Sequence, residues 1–326
     1  MKKGVVAWLV VALVLLVVGG ALFALGFSGL SVNTAADINM SLNNRYIDRD
    51  ETIRESFTGV LVDTEDCDVT LVSCPETESP RVVIRELEKT PHSIAVENGV
   101  LKIKMQDKRG WLDFVGVNLS NMSITLYLPQ KQYASVNIST ATGGVEIGEN
   151  ISAEEAKITS DTGSISCSAM AVDRLEGKSN TGKIRIQACA PETLQLTANT
   201  GDVEVMGMAA CDSLTAKSDT GKVLLKDVAC KTLDAKTATG DVELQQVTAH
   251  VQMQLSSETG CIYLDGCDSA LSTIETETGD VNGNFRTPKT FETQTVTGDV
   301  DADSTSGADL CRVRTTTGDI NLQIAD

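Results

Sequence analysis

Histidine is nearly missing from this chain: His92 and His250 are the only two in 326 residues. Nine cysteines are present, but no two stand in a Cys-x-x-Cys spacing. A zinc site or a thiol-redox centre therefore lacks its usual ligand pattern. Aromatic residues make up only 4% of the chain. Enzymes that act on polysaccharides need aromatic platforms beside their paired acids, and outward positions here offer little beyond Tyr263. Acidic pairs such as Glu275 and Glu277 are common, and a charged outward column is ordinarily just solvated. Basic residues are also scarce, 27 against 45 acidic ones, for a net charge of −18. Nucleic acid is excluded as a partner, because phosphate binding needs a basic footprint. Phosphate-cradling loops and Ser-His-Asp signatures are absent. The chain is expected not to be an enzyme and to hold no cofactor.

What the sequence has in abundance is a beat. Thr-Gly recurs ten times, with glycines at Gly143, Gly163, Gly182, Gly201, Gly221, Gly240, Gly260, Gly279, Gly298 and Gly318. A fixed step of 19–20 residues is the mark of a stacked repeat. Two residues after each glycine the position is always Val or Ile, from Val145 to Ile320. Apolar residues recur four after, five before and seven before, as in Leu225, Leu196 and Leu214. Polar residues such as Lys217 and Glu204 fall between them. Period-two alternation on both sides of a fixed glycine predicts two half-buried strands joined by a bend. Neither strand can bury its apolar face alone, so successive coils must stack.

The fold class expected is all-β: a single-stranded parallel β-solenoid, a right-handed β-helix of 19–20-residue coils. Ten coils at about 4.8 Å would extend roughly 45–50 Å. The glycine is expected at a structural corner, where positive φ or close backbone approach forbids a Cβ. Parity along the strand places the Thr before each glycine, and the Ser or Thr two residues earlier, on the core side as hydroxyl ladders.

The one long apolar run, Gly4 to Phe27, carries no charge and follows Lys2-Lys3. Its length fits a transmembrane helix with the N-terminus inside. Residues 1–27 are assigned to a cytoplasmic stub and signal anchor, 28–50 to a linker, 51–130 to an irregular β cap with the first coils, and 131–326 to the regular solenoid. This assignment makes the membrane a partner through residues 4–27. It also makes the protein a single-pass one of the bacterial cytoplasmic membrane, with its C-terminal part extracytoplasmic. Within the cap, Asn98-Gly99 between two extended runs is a hairpin signal.

Two further sets of residues invite a site. The position after the glycine runs Lys183, Asp202, Lys222, Asp241 in alternating sign, then Asp280, Asp299 and Asp319. The alternating part predicts an exposed charge ladder. Three stacked aspartates are unfavourable unless solvated or bridged, so a weak calcium site there is the single metal candidate. Cys211 and Cys230 each lie three residues before an aligned leucine, which puts them on neighbouring coils within disulfide range. Cys67 and Cys74 are a second possible pair, while Cys189 and Cys267 suit small core fillers.

Together the Lys-Lys-led apolar segment, Asp66-Cys67-Asp68-Val69-Thr70-Leu71, Asn98-Gly99-Val100-Leu101-Lys102-Ile103, Ser123 to Pro129 and the repeated Thr-Gly-Asp-Val resemble one family. It is the bacterial putative-adhesin family with a β-strand-repeat domain of unknown function, and the likeness covers roughly residues 50–326. The resemblance implies a β-solenoid outside the membrane and no catalytic residue. It implies an adhesin-like protein binding an envelope or host-surface ligand. Relatives associated with envelope stress imply a second role, as a sensor or accessory acting through a membrane protein.

Overall fold

The computed structural model describes residues 45–106, 122–303 and 307–325. These residues form twenty-four strands and no helix. The first seven are β1 (Tyr46–Thr52), β2 (Gly59–Thr64), β3 (Cys67–Cys74), β4 (Arg81–Leu87), β5 (His92–Glu97), β6 (Val100–Met105) and β7 (Met122–Pro129). The coils begin with β8 (Gln132–Thr142) and β9 (Val145–Ile147), then β10 (Ser152–Thr162) and β11 (Ile165–Ser168). They continue through β12 (Ala171–Thr181), β13 (Ile184–Gln187), β14 (Thr193–Thr200), β15 (Val203–Met208) and β16 (Ser213–Thr220). Three long strands, β17 (Val223–Thr239), β18 (Val242–Thr259) and β19 (Ile262–Thr278), each run from one Thr-Gly corner to the next. The last five are β20 (Val281–Phe285), β21 (Lys289–Thr297), β22 (Val300–Ala302), β23 (Asp309–Thr317) and β24 (Ile320–Ile324).

Every coil strand pairs in parallel with the equivalent strand of its neighbour, as the repeat predicts. Strands preceding the corners build one ladder and strands following them build a second. Between the ladders lies one continuous core. Val145, Ile165, Ile184, Val203, Val223, Val242, Ile262, Val281 and Ile320 are all buried. Each such side chain contributes about 1.5–3 kcal/mol of burial. The core therefore grows coil by coil.

The corner glycines from Gly163 to Gly318 have φ between 139° and 159°. A Cβ on any of the ten would lie 2.0–2.3 Å from a backbone carbonyl oxygen of the adjoining coil. Glycine is thus required twice, by conformation and by contact. A second corner lies six residues later, at Ala169, Ala188, Gly207, Asp227, Gln246 and Gly266, all with φ of 47–67°. Its residue types vary, so no motif marks it.

Hydroxyls secure the Thr-Gly corner. Ser160 donates to Gly143 O at 3.0 Å, Ser218 to Gly201 O at 2.8 Å and Thr237 to Gly221 O at 2.9 Å. These side chains are buried, as parity predicts. The Thr immediately before the glycine is a correction. From Thr142 to Thr317 all ten are exposed. The alternation breaks there: Ser160 pairs with Thr140 and Thr162 with Thr142, while the residue between is skipped. Two successive residues face outward at each corner, so the inner parity does not extend to this Thr.

The coils do not stack in sequence order. β23 pairs with β19 on one side and β21 on the other, and β24 lies between β20 and β22. Residues 309–324 are therefore inserted beneath residues 289–302, which form the outermost coil. Burial explains the exchange. Cys311, Val313, Ile320 and Leu322 of the inserted coil are buried, whereas Val300 of the outer coil is 46% exposed. Placing the more apolar coil inside gains a few kcal/mol of burial. Lys289 fastens the arrangement. Its buried ammonium donates to Asp268 Oδ1, to Ser269 O at 2.7 Å and to Asp309 Oδ2 at 2.9 Å, which joins β19, β21 and β23.

At the other end, β2 and β3 make the first coil, stacked on β8 and β9. β6 and β7 stack parallel on them. β5 then joins β6, β4 joins β7 and β1 joins β4, all antiparallel. The hairpin signal is met: Asn98 and Gly99 have φ of 53° and 76° between β5 and β6. β1 begins at Tyr46, inside the stretch assigned to a linker. The predicted membrane helix at residues 4–27 lies outside the described residues. Among the described residues no helix is long and apolar enough to cross a membrane.

Candidate functional site

The strands before the corners show every second side chain to the outside on one broad sheet face. Toward the outermost coil this face hollows into an open groove of about 640 Å³. Lys217, Lys236 and Arg314 supply cations, and Asp234, Glu258, Glu275 and Glu277 supply carboxylates. Gln254 and Gln294 add amides, while Ser256 and Thr316 add hydroxyls. Lys217 pairs with Asp234 at 2.7 Å and Lys236 with Glu258 at 3.9 Å. Glu275 stands opposite Arg314 in register. A second hollow of about 370 Å³ lies on the same face near the first coil, with Asp63, Lys104, Asn137, Ser139 and Lys157 around it. No aromatic ring lines either hollow. The face can offer many hydrogen bonds and compensated charges at a regular strand spacing, and it encloses nothing.

The residues after the glycines form a different edge. Lys183 bridges Asp202 at 3.2 Å and Glu204 at 2.7 Å. Lys222 pairs with Glu243. The Glu243 carboxyl is held below its ordinary range by its bond to Lys222. For Glu204, burial acts in the opposite sense, but Lys183 and Arg185 outweigh it and the carboxyl is again lowered. The charge ladder is thus present, with Glu204 and Glu243 as its main anchors.

Asp280, Asp319 and Asp299 stack in that order. Their carboxylates turn to the backbone: Asp280 Oδ1 accepts Asp319 N–H at 2.8 Å, and Asp319 Oδ1 accepts Asp299 N–H at 2.8 Å. The same bond recurs from Asp68 to Gly144 and from Asp241 to Cys261. Among the described residues no group of three or more His, Cys, Asp or Glu stands in a position to hold a metal ion. The aspartate column closes one coil onto the next.

All nine cysteines are free thiols, and all except Cys261 are buried. Cys211 and Cys230 do lie on neighbouring coils, since Lys231 N–H donates to Cys211 O at 2.9 Å. They are not joined. Cys211 Sγ is turned to Ser213 O at 3.1 Å and Glu192 O at 3.3 Å. Cys67 and Cys74 sit at opposite ends of β3, too far apart along the strand to bond. Burial pushes the Cys67 thiol up to about 11 and the Cys230 thiol up to about 12.

The sequence held no signal for a polar cluster in the cap. His92 is buried and donates from Nδ1 to Glu86 Oε2 at 2.8 Å. Its Nε2 lies 2.9 Å from Thr64 Oγ1 and 3.9 Å from Cys67 Sγ. Arg49 donates to Glu86 Oε1 at 3.0 Å and to His92 O at 2.7 Å. The five residues come from β1, β2, β3, β4 and β5 and make no sequence motif. The carboxylate–imidazole–hydroxyl relay is closed to solvent, so no substrate reaches it.

The family described as Toastrack DUF4097 matches residues 60–210 and 208–326. A solved structure described as a putative lipid binding protein from Parabacteroides distasonis is 15% identical, over 86% of this chain and 98% of that one, with a TM-score of 0.49. A putative adhesin from Bacteroides fragilis is 14% identical, over 86% and 97%, with a TM-score of 0.41. Another from Parabacteroides merdae is 13% identical over the same shares, with a TM-score of 0.43. No curated protein matches the chain.

Proposed function

Since the chain belongs to the Toastrack DUF4097 family, we propose that it is a non-catalytic, adhesin-like binding protein that lays an extended polar polymer, such as a glycan strand, along its outer sheet face. One observation carries this reading. Both hollows open on the same face, and both are lined by hydroxyls, amides and charged groups. Repeating strands present these groups in rows, which suits a ligand that itself repeats. An anchor through residues 4–27 would hold the face outside the cytoplasmic membrane.

The test is retention of the protein on an array of envelope and host glycans, with lipid vesicles as a parallel arm. Lys236→Ala with Arg314→Ala should weaken glycan retention at least tenfold, since two charge-assisted hydrogen bonds are lost. Retention unchanged by these substitutions, or binding confined to vesicles, would overturn the reading.

A further inference from the structure

The cluster around His92 joins the whole N-terminal cap to the first coil. β5 contributes the imidazole, β4 the Glu86 carboxylate and β1 the Arg49 guanidinium. β2 contributes the Thr64 hydroxyl, β3 the Cys67 thiol, and β6 places Met105 opposite His92 in register. Glu51 holds Arg49 from the far side through Nε at 3.0 Å. We infer that His92 is a pH-sensitive latch, which fastens strands β1, β4 and β5 onto the first coil when neutral and releases them when protonated.

The hydrogen bonds define the neutral form. Glu86 Oε2 accepts both the backbone N–H of His92, at 2.6 Å, and its ring Nδ1–H. Nε2 is then the acceptor, and Thr64 donates to it. A second proton on Nε2 would face Thr64 Oγ1 with another hydrogen already between them. The buried hydroxyl must then turn from Nε2 to the Cys67 thiol, a weaker acceptor. The new charge would also sit out of reach of water, with the Arg49 guanidinium held on the same carboxylate. Glu86 attracts the added proton, but it already accepts from Arg49 and twice from His92.

Burial, the largest influence, lowers the affinity of His92 for a proton; Glu86 acts against it and Arg49 adds to it. The folded value therefore lies below the ordinary 6.5. Stability from the latch is complete above that value and is lost as pH falls from it toward the folded value. Cap release accordingly belongs to mildly acidic conditions.

Two measurements on the full chain test the latch. The ring resonances of 13C-labelled histidine, only two in number, give the His92 titration directly. A midpoint below 6.5 supports the latch, and one at or above 6.5 overturns it. Hydrogen exchange then compares β1, β4 and β5 with the inner strands β12–β15 between pH 7.5 and 5. Relative cap protection should fall about tenfold for each unit by which the folded value lies below 6.5. His92→Gln should abolish that pH dependence. Equal slopes in the two proteins, or no fall in the wild type, would overturn the proposal. If His92→Gln fails to fold, the wild-type titration and exchange decide the matter alone.

Discussion

Three alanine substitutions at equivalent corners should have very unequal effects, and the inequality follows from stacking order. In Gly240→Ala the new Cβ meets Gly221 O at 2.3 Å and Gly221 C at 2.7 Å. Carbon atoms essentially never approach such backbone atoms below 3.0 Å, so the corner must open by at least 0.7 Å. Opening stretches Gly221 N–H to Thr239 O (2.8 Å), Val223 N–H to Asp241 O (2.9 Å) and Thr237 Oγ1 to Gly221 O (2.9 Å). Each unmade buried bond costs about 1–3 kcal/mol. The backbone at φ 139° adds about 1–3 kcal/mol of strain for a residue with a side chain. A total of about 4–12 kcal/mol is expected, enough to shift the urea midpoint of the whole chain. Gly298→Ala makes the same clash, 2.1 Å from Gly318 O, but on the outermost coil. That coil can lift off alone, so the cost is limited to its own docking energy and appears as cleavage within residues 289–302 in limited proteolysis. Gly318→Ala is the decisive case. Gly318 comes later in the sequence, yet its coil is clamped between two others, so it should behave like Gly240→Ala. If Gly298→Ala proves severe and Gly318→Ala mild, the coils stack in sequence order and the reasoning is wrong.

Other outcomes follow from the same geometry. Ala198 occupies the one hydroxyl position that lacks an oxygen, so Ala198→Ser should bond Gly182 O and stabilise by about 0.5–1.5 kcal/mol in urea unfolding; a destabilisation would mean the slot is closed. Glu204 and Glu243 have lowered carboxyl values, so their contribution is present above about pH 4.5 and is lost as pH falls through the folded values. Melting curves from pH 7 to 3 should lose about 0.5–1 kcal/mol per pair, and Lys222→Met should flatten its share; an unchanged profile refutes the pairing. Alkylation of the native chain should label Cys261 and spare the eight buried thiols, with all nine reacting in denaturant. Fewer than nine in denaturant without reductant would reveal a disulfide.

Much of the fold was legible because the repeat is a chain of backbone necessities. Glycine at the corner, Val or Ile two residues on and the period itself specify parallel coils. The family resemblance rested on these residues and on the segments at 66–71, 98–103 and 123–129, and it holds. The failures have physical causes. Thr142 and its nine equivalents were placed inward because alternation was carried through a point where it breaks. The apolar columns five before and two after the glycine are seven apart, an odd number, so a break had to lie between them. The inserted coil was invisible because Gly298 and Gly318 carry the same motif; only the sum of Phe291, Thr293 and Val300 against Cys311, Val313 and Ile320 ranks them. The groove was legible only as polar columns. His92, Glu86, Arg49, Thr64 and Cys67 meet through long-range pairing that no local pattern encodes.

The insertion of residues 309–324 beneath residues 289–302 also bears on how the chain is made. A ribosome delivers coil 289–302 first, but its final seat does not exist until the later coil has docked. Coils up to β20 can settle one after another as they emerge. The last two must wait for each other, and the buried Lys289 finds its partner Asp309 only then. A chain interrupted before that point would carry an open end with its strand edges unpaired, a form that proteases and chaperones recognise. The outermost coil thus gains its full set of partners only in a chain that extends past residue 309.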